Sequence, residues 1–308
     1  MIGTMDDRIQ ETLKQRYTAA MNSFIDKIRD DPNVIAAIVS GSLAYDVVWE
    51  KSDIDMTLVV RDQTLKQDSY CIVEDGIVIN VHLMLRSIFR RGMERNIGGS
   101  FSQSYFSKGT MVYTTDDSLI EFFEELKVVG SDDIAVSALH IASELVHLYE
   151  KAQKWLTARK DPLYAQYYLL KAAECIAYME LCLRGEAISR EVIQRVLREQ
   201  PELLAPFYQD AMSRHYTAEE IEQAIRRIDG YLERHLDIIK RPVLEFMSDQ
   251  EIKTITLISK HFRTRGEFIV GIMDYLTEKG VIERVSQTIR ITPKSKQAVE
   301  EIGYLYIP

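Results

Sequence analysis

Residues 41–60 read GSLAYDVVWEKSDIDMTLVV, and the spacing of the polar residues in this stretch decides how the first half of the chain is understood. Gly41 and Ser42 follow the apolar run Val34–Val39, so they stand at the end of a strand with a short helix after them. That position offers unobstructed backbone amides and a hydroxyl to an anion. Asp53 and Asp55 then flank Ile54 at the start of a second apolar run, Ile54–Val60. Residues i and i+2 of a strand point to one face, so both carboxylates project together. Two hard oxygen ligands beside an anion cradle are what magnesium-assisted phosphoryl transfer requires. The stretch therefore predicts Gly41 and Ser42 as phosphate contacts, and Asp53 and Asp55 as metal-binding, catalytic carboxylates.

On the N-terminal side, Ile9, Leu13, Tyr17, Ala20, Met21, Phe24 and Ile28 recur at helical spacing, predicting an amphipathic helix over 6–30 that closes at Asp31-Pro32. On the C-terminal side, Tyr70–Val73 and Ile77–Met84 read as strands joined by Glu74-Asp75-Gly76, a hairpin turn because Asp-Gly tolerates positive backbone dihedrals. From about 132 to 240 the pattern turns helical: 134–157, 163–184, 189–199, 202–214 and 217–239. The second of these is apolar on most faces and belongs at the centre of a bundle. Lys240-Arg241-Pro242 predicts a helix break. Beyond it, helices over 249–261 and 266–279, short strands Val281–Val285 and Thr288–Thr292, and a last helix opened by Pro293 resemble a winged helix-turn-helix. The expected fold class is α+β: a small mixed sheet in 1–130, an all-α bundle in 131–245 and a winged-helix-like domain in 246–308.

A hydrophobic fraction of 46% with 28% charged residues gives enough apolar material for packed cores and argues against disorder. The net charge of -9 opposes a whole-protein grip on nucleic acid, which needs a basic surface. The last 60 residues carry nine Lys or Arg against eight Asp or Glu. DNA contact through 249–308 is thus permitted, with Arg263 and Arg265 before the recognition-helix position and Arg284 and Arg290 on the wing. Cys71, Cys175 and Cys182 show no metal-ligand or disulfide spacing and read as reduced thiols. The opening Met-Ile-Gly-Thr-Met-Asp-Asp lacks a basic and apolar leader, and no long apolar span follows, so a cytoplasmic location without membrane contact is expected.

The glycine-serine and paired-aspartate pattern resembles the signature of the nucleotidyltransferases of the DNA polymerase beta superfamily. Gly109-Thr110-Met111-Val112-Tyr113-Thr114-Thr115-Asp116 and the helical region after it are most similar to the small-molecule group that includes aminoglycoside adenylyltransferases. The resemblance covers about 30–127 and continues weakly to about 240. It implies transfer of AMP from a nucleoside triphosphate to a hydroxyl of a small molecule, with Mg2+ as cofactor. Two positions depart from it. Asp46 stands where a glycine is common, and the strand that should carry a third carboxylate offers Val78, Asn80, His82 and Met84. Asn80 can ligate a metal through its amide oxygen but cannot take a proton, and His82 can act as a base.

The resemblance also implies that a base can come from the helical domain. Glu144 and Glu174 are the candidates, each inside an apolar helical stretch where a carboxylate is costly unless it faces a cleft or partner. Lys171, one turn before Glu174, is a candidate phosphate ligand. A site lent across subunits would require a homodimer. The alternative expectation is a nucleotide-sensing regulator that binds without turnover and acts through its winged helix on DNA or protein.

Overall fold

The computed structural model describes residues 7–43, 48–89, 109–125, 131–186, 191–292 and 294–308. It divides into two compact units, 1–129 and 130–308.

In the first unit, helix α1 (Asp7–Ile28) precedes strand β1 (Val34–Ser40), a 3-10 turn at Gly41–Leu43, β2 (Ile54–Val60), β3 (Ser69–Glu74), β4 (Ile77–Leu85), β5 (Thr110–Thr114) and α2 (Asp117–Glu125). The strand order is β3-β4-β2-β1-β5, with β2 and β4 parallel and the other neighbours antiparallel. Every residue of β1 is buried, as expected of a strand covered on both faces. Tyr17, Ala20, Met21 and Ile25 of α1 join one core with Ala37, Val39, Ile54 and Met56. Leu119 and Phe123 of α2 join Phe89, Ala36, Ile38 and Val59 in the other. The predicted hairpin is present: Glu74 pairs with Ile77 across Asp75 (φ 50°) and Gly76 (φ 76°), the positive dihedrals that a tight two-residue turn demands.

Glu74 ties this sheet to α1. It is 7% exposed and accepts from Ser23 Oγ at 2.6 Å and from Lys27 Nζ at 2.7 Å on both oxygens. The Lys27 and Ser23 hydrogen bonds hold its carboxyl below the ordinary value of 4.5. A depressed folded-state value means that the stabilisation is complete above 4.5 and is lost as pH falls below it. Glu74→Gln is therefore expected to melt lower than the wild type at pH 7, and to lose less of its melting temperature between pH 5 and pH 3. Thermal melts across that range check this; parallel curves would exclude Glu74 as the source.

The second unit begins with the antiparallel pair α3 (Ser131–Thr157) and α4 (Pro162–Leu183), the latter capped by Asp161, which accepts from the Tyr164 amide at 2.9 Å. α4 is central, as its sequence predicts: Leu169, Ala172, Ala173, Ile176 and Met179 are all fully buried. Then follow α5 (Val192–Glu199), the short α6 (Pro201–Leu204) and α7 (Gln209–Ser213), α8 (Ala218–Arg234) and α9 (Leu236–Phe246). Thr217 and Glu220 form a reciprocal capping box at the start of α8.

The helix break expected at Lys240-Arg241-Pro242 is absent. The chain breaks instead at His235, and Pro242 lies buried inside α9. Ile239, Pro242 and Val243 form one apolar stripe in the core shared with α3, and that burial outweighs the hydrogen bond a proline cannot donate. After α9 come β6 (Lys253–Thr254), α10 (Ile255–His261), α11 (Gly266–Glu278), β7 (Glu283–Ile289) and β8 (Val299–Leu305), in a sheet of order β6-β8-β7.

Two expectations fail here. Val281–Val285 and Thr288–Thr292 do not pair with each other: β7 runs straight through Ser286-Gln287, and its partner is β8. The last helix is instead strand β8, and Pro293 lies outside the described residues. Gly303 shows the cause, because a Cβ there would stand 2.8 Å from Ile252 Cγ2 and 3.4 Å from the Lys253 carbonyl. The close backbone approach of β8 to β6 selects a glycine that a helix would disfavour. Ile258, Phe262, Ile272, Met273 and Tyr304 share one core with α3 and α4, and His140 Nε2 of α3 hydrogen-bonds the Phe262 carbonyl at 2.9 Å.

Candidate functional site

The site is assembled where β1 ends and β2 begins. Antiparallel pairing sets Ser40 opposite Asp55, and the parallel neighbour sets Asp55 beside Asn80. Gly41 leaves β1 with φ +72°, a left-handed conformation that suits glycine. Sterics require glycine as well, since a Cβ on Gly41 would lie 2.5 Å from Asp55 Oδ2. The carboxylate thus occupies the space that the missing side chain vacates. Gly41→Ala is expected to destabilise the protein by about 1–2 kcal/mol from the left-handed backbone alone, and to push the Asp55 carboxylate aside. Chemical denaturation checks the first effect, and an unchanged midpoint would refute it. The backbone of Ser42 continues the 3-10 turn, while its side chain and Asp46 lie outside what the structure describes.

Asp53 sits just before β2 and is exposed; Asp55, within the strand, is half-buried. The two carboxylates converge as the i, i+2 spacing predicts, because one side chain reaches both. Asn80 Nδ2 donates to Asp53 Oδ2 at 2.5 Å and lies 3.5 Å from Asp55 Oδ1. On its other side, Asn80 Oδ1 accepts from the Cys71 thiol at 3.2 Å, across the β3–β4 pairing. Asn80 therefore presents its N–H face to the acids, where the sequence reading asked for its oxygen. Ligating a cation through Oδ1 requires a half-turn of the amide. His82, two residues on, is exposed.

Sequence reasoning missed the residue that holds the Asp53 approach in place. Tyr17 of α1 donates its buried hydroxyl toward the carbonyls of Ser52 (2.8 Å), Trp49 (3.2 Å) and Glu50 (3.2 Å). Ser52 closes the same turn, accepting from the Trp49 amide at 3.0 Å and donating its own amide to the Trp49 carbonyl at 2.8 Å. Burial raises the Tyr17 hydroxyl above its ordinary range, and Asp53 and Glu50 add to this while Arg16 opposes it. In the sequence Tyr17 is simply one more member of an apolar stripe, with nothing to show which carbonyls its hydroxyl meets.

Asp53 and Asp55 are suited to a hard divalent cation. Magnesium is commonly held by one or two carboxylates together with substrate phosphates, and the pair already shares one hydrogen-bond donor between its carboxylates. No group of three or more His, Cys, Asp or Glu side chains that could hold a metal occurs among the described residues.

Glu144, Glu174 and Lys171 all belong to the second unit, on α3 and α4, and all are exposed. The burial cost expected for the two carboxylates does not arise, because the helices turn them to solvent. Glu174 accepts from Tyr178 Oη at 2.9 Å. Lys171 lies 5.2 Å from the centroid of the Tyr167 ring, and among the described residues no ion pair links it to Glu174. Burial first, then the fields of Glu144 and Glu174, raise the thiol of Cys175. The basic residues of the C-terminal region are partly engaged: Arg265 pairs with Glu267 at 3.6 Å, and Arg284 with Asp274 at 3.2 Å. Among the described residues no helix is long and apolar enough to cross a membrane.

No protein-family model and no curated protein matches the sequence. Among solved structures, the chain is similar to a nucleotidyltransferase-like protein from Exiguobacterium sibiricum 255-15, with a TM-score of 0.64 and 15% identity over 94% of this chain and 99% of the other. At that identity the likeness establishes a shared fold. A spectinomycin adenyltransferase from Enterococcus faecialis, solved with ATP and spectinomycin, aligns with a TM-score of 0.32 and 12% identity over 70% of this chain and 99% of that one.

Proposed function

We propose that the first unit binds a nucleoside triphosphate with Mg2+ and transfers its nucleoside monophosphate, AMP when the nucleotide is ATP, to a hydroxyl of a small molecule. The observation that carries this reading is the convergence of Asp53 and Asp55 on one point beside the side-chain-free turn at Gly41. Asp53 and Asp55 would hold the cation. When bound, it would neutralise charge on the phosphates and on the leaving pyrophosphate. The Gly41–Ser42 turn presents backbone amides to the phosphates. Tyr17 fixes the Trp49–Ser52 turn, and so fixes where Asp53 enters β2. Glu144 and Glu174 are proposed as alternative sources of the base that takes the acceptor proton, and Lys171 as a phosphate ligand. Their exposure leaves them accessible for these roles.

The test is pyrophosphate release from ATP and Mg2+ in the presence of a pool of hydroxylated small molecules, with transfer read by mass spectrometry of the acceptor. Release that depends on the acceptor supports the proposal; none with any of the four common ribonucleoside triphosphates would overturn it.

One observation favours a second reading, nucleotide sensing without efficient turnover. Asn80 offers the acids a hydrogen-bond donor where a third carboxylate would add ligand charge and a proton acceptor. In that reading the α9-β6-α10-α11-β7-β8 segment serves as a winged-helix output. Tight, Mg2+-dependent triphosphate binding without pyrophosphate release would select it.

A further inference from the structure

The second unit contains a pocket of about 390 Å³, formed by α4, α8 and the α6–α7 region, that the proposed chemistry does not use. Its volume falls within the range of small-molecule sites. Of its apolar lining residues, Leu203 and Gly230 are half-exposed and offer the surface that a ligand can touch. Ile176, Phe207 and Tyr231 are at most 2% exposed and therefore firmly packed, and Tyr231 is also anchored by its hydroxyl, which donates to Glu180 Oε1 at 2.8 Å. The mouth carries Arg226, Arg227 and Arg234 against a single lining carboxylate, Glu202.

The sequence of α8 explains how this arrangement arises. Arg227, Gly230, Tyr231 and Arg234 follow the i, i+3, i+4, i+7 spacing of one helix face. The two arginines therefore bracket the glycine, about 10 Å apart along the axis. Glycine inside a helix is destabilising relative to alanine, and it is usually retained where another segment packs too closely for a Cβ. Among the described residues Gly230 has no such neighbour: apart from the helix backbone and the adjoining residues, the one atom within 4 Å of where its Cβ would stand is Arg234 Nη1, at 4.0 Å. Its missing side chain opens space into the pocket. Arg226 pairs with Glu222 at 3.7 Å, whereas Arg234 leans over the Tyr231 ring with its guanidinium carbon 5.6 Å from the centroid.

We infer that this pocket binds a small organic anion with a flat apolar body, of the size of an aromatic carboxylate. The body would lie over Gly230 and against Leu203, and the anionic group would be held between Arg227 and Arg234, whose planar guanidinium groups suit carboxylates. The proposal does not depend on the nucleotide site in the other unit.

The test uses the full-length protein and 2-naphthoate as probe, with 2-naphthylmethanol as its neutral counterpart, measured by calorimetric titration. The wild type is expected to show saturable 1:1 binding of the carboxylate, at least ten-fold tighter than the alcohol. Gly230→Leu puts a good helix former into the pocket and should weaken binding at least ten-fold while circular dichroism is unchanged. Arg227→Gln with Arg234→Gln should remove the preference for the carboxylate. Asp55→Asn, altered only at the nucleotide site, should bind the probe as the wild type does. Equal binding of carboxylate and alcohol by the wild type, undiminished binding by Gly230→Leu, or no saturable binding at all would overturn the proposal.

Discussion

Asp55→Asn is expected to lower acceptor-dependent pyrophosphate release at least about a thousandfold. A metal ion contributes several kcal/mol of charge stabilisation in a transition state, and each 1.4 kcal/mol is a factor of ten in rate. Asparagine is nearly isosteric with aspartate, so the space under Gly41 that the Asp55 carboxylate fills stays filled. The fold should therefore survive, because the substitution also removes one of two like charges that converge on Asn80. Equal melting temperatures together with lost activity would separate a chemical role from a structural one. Release at the wild-type rate would sink the assignment of Asp55, whatever the acceptor.

Asn80→Asp should have an effect of opposite sign on stability and on metal response. In the wild type the Asn80 amide donates to Asp53 and faces Asp55. Aspartate at 80 replaces that donor with a third negative charge a few ångströms from two others. After allowance for solvent screening at a half-exposed site, the cost is expected to be about 1–3 kcal/mol without divalent cation. Mg2+ should restore most of it, since a ligand that binds only the folded state stabilises by mass action. Acidification should relieve it too, because three neighbouring carboxylates share protons more readily than two. Thermal melts of wild type and variant, with and without millimolar Mg2+ and between pH 5 and 8, give all three readouts. A variant as stable as the wild type in EDTA, with no added response to Mg2+, would show that residue 80 does not face the acids. If turnover is limited by the missing carboxylate, the same variant should release pyrophosphate faster than the wild type; no gain would place the limit elsewhere.

Much of the first unit is legible in sequence because its signals are local. The period-two spacing of Asp53 and Asp55, the Asp-Gly turn and the apolar stripe of α1 are each set within a few residues, and each appears where its spacing predicts. The C-terminal region was harder. Strand β8 carries Glu300 and Glu301 in a pattern compatible with a helix, and only pairing with β6 and β7 makes it extended. Without that partner, residues 281–292 read as two five-residue strands, Val281–Val285 and Thr288–Thr292, around a turn. Pro242 departs from its local signal for a related reason: backbone preference favours a break, while the buried stripe that overrides it depends on what packs against α9.

The candidate site divides in the same way. Sequence by itself determined which residue types stand at which strand positions: a glycine-serine turn, two carboxylates on one face, and an asparagine on the strand after the Asp-Gly turn. These follow from backbone periodicity, which is a local property. Only the tertiary structure decided that the Asn80 amide turns its N–H toward the acids, because that orientation depends on the Asp53 carboxylate on one side and the Cys71 thiol on the other. The same holds for the missing Gly41 Cβ as the space that Asp55 fills, for Tyr17 holding the turn that delivers Asp53, and for Gly230 opening onto a pocket. Each depends on how side chains of different positions meet in space, and that is fixed by packing and pairing geometry that no residue spacing encodes.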